Sequence, residues 1–311
     1  MADIRWGYAV NQWRNMEVDL VRKDQFESAF KVVSVCGFRA IEITDSAVGG
    51  PDMIPAFFGS AHKFMDFLND CGLDCVCSLF SGLGGGSSTN RADHIRIAEF
   101  ARPLAEFIAE LGASCIVVRP MGAYPREAPV TAEKIKVAAE CWSKVGKITR
   151  TAGIQTVVHP DFLCGVRDQT QVEQLLESSD PEAVGLAMDT AEFTIAGIDP
   201  AKFYAKHHSR IKHLHFKDAT TADTLAEYKD PTAEVDYWPT PLVTAGAKRQ
   251  IERWFYEMGT PGGLVDFPAL LKLMKKHDFN GWVVVESDQS PHLEESVMLN
   301  GWYRKQVLSK V

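Results

Sequence analysis

The chain has 311 residues, 46% hydrophobic and 24% charged, which is enough apolar sequence for a large buried core and excludes a disordered chain. Lys and Arg number 33 and Asp and Glu 41, so the net charge is −8 and argues against nucleic acid and anionic membrane surfaces, both of which need clustered cations. No apolar run approaches the ~20 residues of a membrane-spanning helix, and the opening MADIRWGYAVNQW lacks the basic-then-apolar order of a secretory signal.

The seven cysteines fall largely within apolar stretches, as reduced, buried thiols of a cytoplasmic protein would. The spacing of Cys75 and Cys77 suits neither a redox pair nor a zinc pair.

In chain order, short apolar runs alternate with longer amphipathic ones. Eight runs read as strands: Ile4–Val10, Ala40–Thr44, Asp74–Phe80, Ser114–Pro120, Gln155–Pro160, Gly185–Thr190, Ile211–Lys217 and Gly281–Glu286. Several are continuously apolar, as parallel strands covered on both faces should be. Helical periodicity fills the intervals at Asp24–Val35, Ser60–Asn69, Ala92–Leu111, Thr131–Ala152, Gln169–Leu176, Pro200–Lys206, Asp266–Lys276 and His292–Leu308. Gly37, Gly72, Gly112 and Gly153 stand where helix C-caps belong.

Strand followed by helix, eight times over, predicts a closed (β/α)8 barrel, a TIM barrel in one domain spanning residues 1–311. A doubly wound sheet would place a glycine-rich turn after its first strand, and here Asn11-Gln12-Trp13 follows Val10. Two connections are long. The glycine run Gly82–Gly86 lacks the ordered spacing of a phosphate-binding loop and reads as a flexible connection. Residues 219–263, about 45 in all, are rich in aromatics and are expected to form a lid, a ligand-stacking wall that includes Trp238, or a contact to another subunit of a homo-oligomer or a partner.

Barrel enzymes carry their chemistry at the C-terminal ends of the strands. Those ends offer Glu42, Arg119, His159, Asp189, the His213/His215 pair with Lys217, and Glu286. Glu286 closes the apolar run Trp282–Val285, and Asp189 closes Gly185–Met188. A carboxylate in either place must be paired, metal-bound or facing a cavity, because an isolated buried charge is costly. Each could instead cap the helix that follows. Two carboxylates and an imidazole on three neighbouring strands make a divalent-metal site, with Mn²⁺, Co²⁺, Zn²⁺ or Mg²⁺ suited to mixed O and N ligands. His215, nearer the strand end than His213, is the better ligand. His159 is a ligand or a base.

Four segments carry a family resemblance: Val184–Thr190 followed by Ala196–Pro200, Arg210–Asp218 (RIKHLHFKD), Val265–Leu271, and Gly281–Glu286. In their order and spacing the chain resembles the metal-dependent sugar isomerase/epimerase superfamily with a xylose-isomerase-like barrel. The resemblance implies one divalent ion, Mn²⁺ foremost, held by Asp189, His215 and Glu286, with His159 near the position of the fourth ligand. It implies a small sugar or polyol as substrate, which Glu42, Arg119 and Lys217 at the strand ends and Trp238 in the long connection are expected to contact. Keto-sugar 3-epimerases use two glutamates on opposite substrate faces, and this chain keeps only Glu286 of that pair, with Glu192 where some epimerases have His. The resemblance therefore favours an inosose dehydratase-like lyase acting on a keto-sugar or keto-inositol through an enediolate. Alternatives on the same scaffold are a keto-sugar isomerase or 3-epimerase, a DNA-repair endonuclease (disfavoured by the net charge), and a binding or assembly subunit without turnover.

Overall fold

Runs of Val, Ile, Leu and Cys build the wall that positions everything else. The computed structural model describes residues 2–13, 23–45, 51–123, 127–161, 164–220, 235–236, 249–250, 254–287 and 290–311. Eight parallel strands close a barrel: Asp3–Ala9, Ala40–Thr44, Cys75–Ser81, Cys115–Val118, Gln155–Val158, Val184–Asp189, Ile211–Phe216 and Asn280–Val285, referred to below as strands one to eight. Each pairs with its neighbour in sequence, and strand one closes the ring against strand eight from Asp3↔Asn280 to Tyr8↔Val285. The expected (β/α)8 barrel is the observed one.

Strand alternation sorts the wall's side chains. Ile41, Ile43, Val76, Leu79, Ile116, Val118, Leu186, Met188, Leu214 and Phe216 belong to one large core shared with the surrounding helices. Their inward-facing neighbours form two small clusters, Ala9–Ala40–Cys77–Trp282–Val284 and Cys115–Val117–Val157–Ala187. Small residues dominate that lumen, which leaves room for long polar side chains.

Helices lie outside, started by side-chain caps. Ser60 and Thr131 accept from the backbone N–H three residues on, and Asp168 and Gln171 form a reciprocal capping box. The four expected C-cap glycines all have positive φ, between 78° and 91°.

Three differences from the sequence reading bear on the site. Arg119, His159, Lys217 and Glu286 each follow the last residue of a strand rather than ending it. The ladder still reaches them in part, since His159 N donates to Val118 O at 2.8 Å and Glu286 N to Phe216 O at 3.2 Å. Their side chains leave the wall where it opens. Short helices at Met53–Phe58 and Thr190–Ile195 and a 3-10 turn at Val10–Trp13 were too brief to register as periodicity. Finally, strands three and seven carry irregularities: Ile41↔Val76 is followed by Glu42↔Ser78, skipping Cys77, and Leu186↔Ile211 by Ala187↔His213, skipping Lys212.

The glycine loop is exposed at Gly82, Gly84 and Gly86 but tied to its neighbours. Asp45 accepts from Ser81 Oγ and Gly82 N, and a Cβ at Gly86 (φ 131°) would stand 2.4 Å from Asp93 Cγ. Of the long connection, 221–234, 237–248 and 251–253 lie outside the described residues, and Trp238 with them. Its end returns as a strand pair, Phe255↔Ala219 and Tyr256↔Asp218, and buried Asp218 accepts from the backbone of Gly259, Leu264 and Val265. Among the described residues no helix is long and apolar enough to cross a membrane.

Candidate active site and metal centre

Asp189 is both a cap and a site residue, and the two uses fall on different oxygens. Its Oδ1 accepts from Ala191 N at 2.8 Å and Glu192 N at 2.9 Å, starting the helix Thr190–Ile195. This fixes the side chain so that Oδ2 turns inward. Oδ2 lies 3.6 Å from His159 Nε2, 3.8 Å from His215 Nδ1 and 3.2 Å from Lys217 Nζ. Glu286 joins from the next strand end, with Oε2 3.3 Å from His215 Nδ1 and 3.1 Å from Lys217 Nζ. Asn11, just past strand one, donates to Glu286 Oε1.

The structure thus brings Asp189, His215, His159, Lys217 and Glu286 together at one barrel mouth, all of them buried. Burial opposes ionisation of Glu286, yet Lys217 and then His215 hold it well below the usual carboxylate range. Asp189 is lowered in the same way, against burial, by Lys217 and His159. For His215 burial disfavours the cation, but Glu42 and Glu286 raise it well above the usual imidazole range.

The other candidates sit around this centre. Arg119 is half-exposed at the rim, donates through Nε to buried Asp161, and lies 5.4 Å over the Phe80 ring. Asp161 comes first, and burial opposes it, in raising the Arg119 guanidinium's pKa. Phe80 in turn meets the His159 ring edge-on at 5.1 Å. Glu42, expected at the substrate, is 1% exposed. Its carboxylate is taken up by Ser78, His213 and His215, one layer into the barrel. His213 is likewise behind the mouth, as its place two residues before His215 implies.

Sequence reasoning missed Asn11 as a contact of Glu286, although the strand-end rule applied to strand one would have found it. It also missed Phe255, whose ring lies 3.9 Å under Lys217 Nζ. No local signal points to a phenylalanine 38 positions along the chain. Glu192, noted only as a departure from a motif, is buried with Oε1 3.6 Å from Lys217 Nζ.

A divalent cation fits these residues. Asp189 Oδ2, His215 Nδ1 and both ring nitrogens of His159 are buried without a hydrogen-bond partner, a costly state for polar atoms unless something else satisfies them. Ligand atoms of His159, Asp189 and His215 all lie within 4.8 Å of one another. A mixed imidazole and carboxylate set suits first-row divalent ions.

Known proteins agree with this geometry at the level of fold and family. Inosose dehydratases from Lacticaseibacillus casei and Halalkalibacterium halodurans are 24% and 27% identical to the chain, over 93% and 94% of its length and 91% and 90% of theirs. Among solved structures, an L-ribulose 3-epimerase superposes with a TM-score of 0.71 at 14% identity, covering 100% of this chain and 95% of its own. The probable 3-DHS dehydratase AsbF of Bacillus anthracis gives 0.70 at 12%, covering 97% and 98%. The IOLI protein with a bound zinc atom gives 0.69 at 16%, covering 98% of each chain. The family model for the xylose isomerase-like TIM barrel matches residues 30–305, and the chain belongs to that family.

Proposed function

We propose that this chain is a divalent-metal-dependent dehydratase acting on a keto-inositol or related keto-sugar. The observation that carries the proposal is the close buried set of ligand atoms on His159, Asp189 and His215, without hydrogen-bond partners, beside Glu286. Full-length similarity to inosose dehydratases supports the reaction class. Asp189, His215 and Glu286 hold the ion, Mn²⁺ first among Mn²⁺, Co²⁺, Mg²⁺ and Zn²⁺, with His159 as fourth ligand or as the proton-transfer group. When bound, such an ion polarises the substrate's carbonyl and adjacent hydroxyl and so acidifies the neighbouring C–H.

The chain's own groups do the rest. A base, His159 or Glu286, takes the α-proton. The electron pair of that C–H forms the new double bond, and the β C–O bond breaks. The departing hydroxide takes up a proton from an acid and leaves as water. Arg119 at the rim and Lys217 within the site orient substrate oxygens. The chain acts as a single domain, 1–311.

The experiment is replacement of His159. With His159→Gln, a proton-transfer role predicts retained metal and turnover of a keto-inositol reduced by ~10²–10⁴. A ligand role predicts loss of metal and turnover together. His159→Glu restores the two-carboxylate arrangement of 3-epimerases and should raise exchange of the α-proton relative to dehydration. An unchanged product ratio with metal retained would remove the case for a lyase over an epimerase.

A further inference from the structure

A metal-binding imidazole is useful only if the nitrogen facing the ion carries a lone pair, so something must hold the ring's proton on the other nitrogen. Behind the mouth, Glu42 supplies the groups that do this. Its Oε2 accepts from Ser78 Oγ at 2.7 Å and lies 3.1 Å from His213 Nε2. Its Oε1 lies 3.0 Å from His215 Nε2. A carboxylate that already accepts from Ser78 Oγ and meets one nitrogen of each ring is placed to accept an N–H from both imidazoles.

The remaining nitrogens then have defined roles. His213 Nδ1 lies 3.4 Å from Cys115 Sγ and accepts its S–H. His215 Nδ1, opposite the nitrogen bound to Glu42, faces Glu286 and Asp189 at 3.3 and 3.8 Å. The position of Glu42 is itself built: the skipped residue Cys77 brings Glu42 into register with Ser78, and the skipped Lys212 brings His215 into register with Asp189.

We propose that Glu42 is a positioning residue that fixes His215 as a ligand through Nδ1 by accepting from its Nε2–H, with His213 and Ser78 holding Glu42 in place. The proposal rests on the reading of His215 as a metal ligand. The atoms of Glu42, His213 and His215 also lie within 4.8 Å of one another, which a second ion could exploit only by displacing the protons that hold this network.

Zn²⁺ alone, titrated into chelator-treated protein against a chromophoric competitor, tests this. Glu42→Gln introduces an amide N–H beside the imidazoles and should weaken Zn²⁺ binding by ~10–100-fold, with Glu42→Asp in between. The melting temperature recorded alongside separates this from general loosening. ¹⁵N-histidine spectra of the Zn²⁺-loaded, unsubstituted protein should show His215 coordinated through Nδ1 with a hydrogen-bonded Nε2–H. Unchanged affinity in folded Glu42→Gln, coordination through His215 Nε2, or two Zn²⁺ per chain would each overturn the proposal. Should Glu42→Gln fail to fold, the spectrum of the unsubstituted protein decides alone. Loss of Zn²⁺ in His215→Asn with full binding in Glu42→Gln would overturn only the role of Glu42. Full binding in His215→Asn would overturn the ligand reading itself.

Discussion

Replacing Lys217 by Met should destabilise the chelator-treated protein and strengthen its response to metal. Lys217 is 1% exposed, with Nζ 3.1 Å from Glu286 Oε2, 3.2 Å from Asp189 Oδ2 and 3.6 Å from Glu192 Oε1. At an effective dielectric of about 20, each of the two closest contacts is worth about 5 kcal/mol before desolvation is counted. The net worth of the cluster is far smaller, but removing one partner of a buried ion pair leaves charge without compensation and costs about 3–5 kcal/mol. Met keeps an unbranched apolar side chain of similar length but gives up the ammonium, including its place over the Phe255 ring, so the loss is chiefly electrostatic. For a chain of this size ~1 kcal/mol moves the melting temperature by ~2 °C, giving a fall of roughly 6–10 °C in calorimetry with chelator present. In the proposed site the ammonium and a divalent ion would share the same carboxylate oxygens, so Mn²⁺ should raise the melting temperature of Lys217→Met by more than it raises the parent's. An unchanged melting temperature in chelator, or an equal or smaller response to Mn²⁺, would refute the reasoning.

Gly146→Ala should destabilise the fold by about 1–3 kcal/mol despite the better helix propensity of alanine, because a Cβ there would stand 2.2 Å from Ala183 O; a raised melting temperature would contradict this. Burial pushes the thiol of Cys75 up to about 11 and those of Cys141 and Cys164 to about 12. Iodoacetamide at neutral pH should leave these three unmodified in the folded protein and alkylate them after denaturation, as peptide mass mapping would show. Hydrogen bonds from Gln169 and Lys206, against a lesser effect of burial and with help from His207, lower the Glu173 carboxyl from its usual 4.5 to about 2. A depressed carboxyl stabilises the fold above its unfolded pKa, and the contribution is lost as pH falls from 4.5 towards 2. Glu173→Gln should therefore be less stable than the parent at neutral pH, by at most about 1 kcal/mol given solvent screening, with the gap closing in acid urea titrations.

The barrel was legible in the sequence because its signals are local. Continuous apolar runs such as Cys115–Val118, punctuated by capping residues and by glycines at helix ends, specify strand and helix whatever surrounds them. The polar residues at the ends of those runs were legible for the same reason, and so were the two carboxylates and the histidines that the structure gathers at one mouth. What the sequence could not decide is which polar residue faces which. Asp189 and His215 stand side by side because strand seven skips Lys212, and Glu42 meets Ser78 because strand three skips Cys77. A one-residue slip in either register would turn the side chain to the opposite face of the wall. That slip is chosen by packing across the barrel, not by the run itself. Asn11 and Phe255 reach the site from opposite ends of the chain, so their contacts with Glu286 and Lys217 exist only once the ring has closed. Glu42 shows the division most plainly. Its place at a strand end marked it as polar and inward, but only the closed barrel surrounds it with Ser78, His213 and His215.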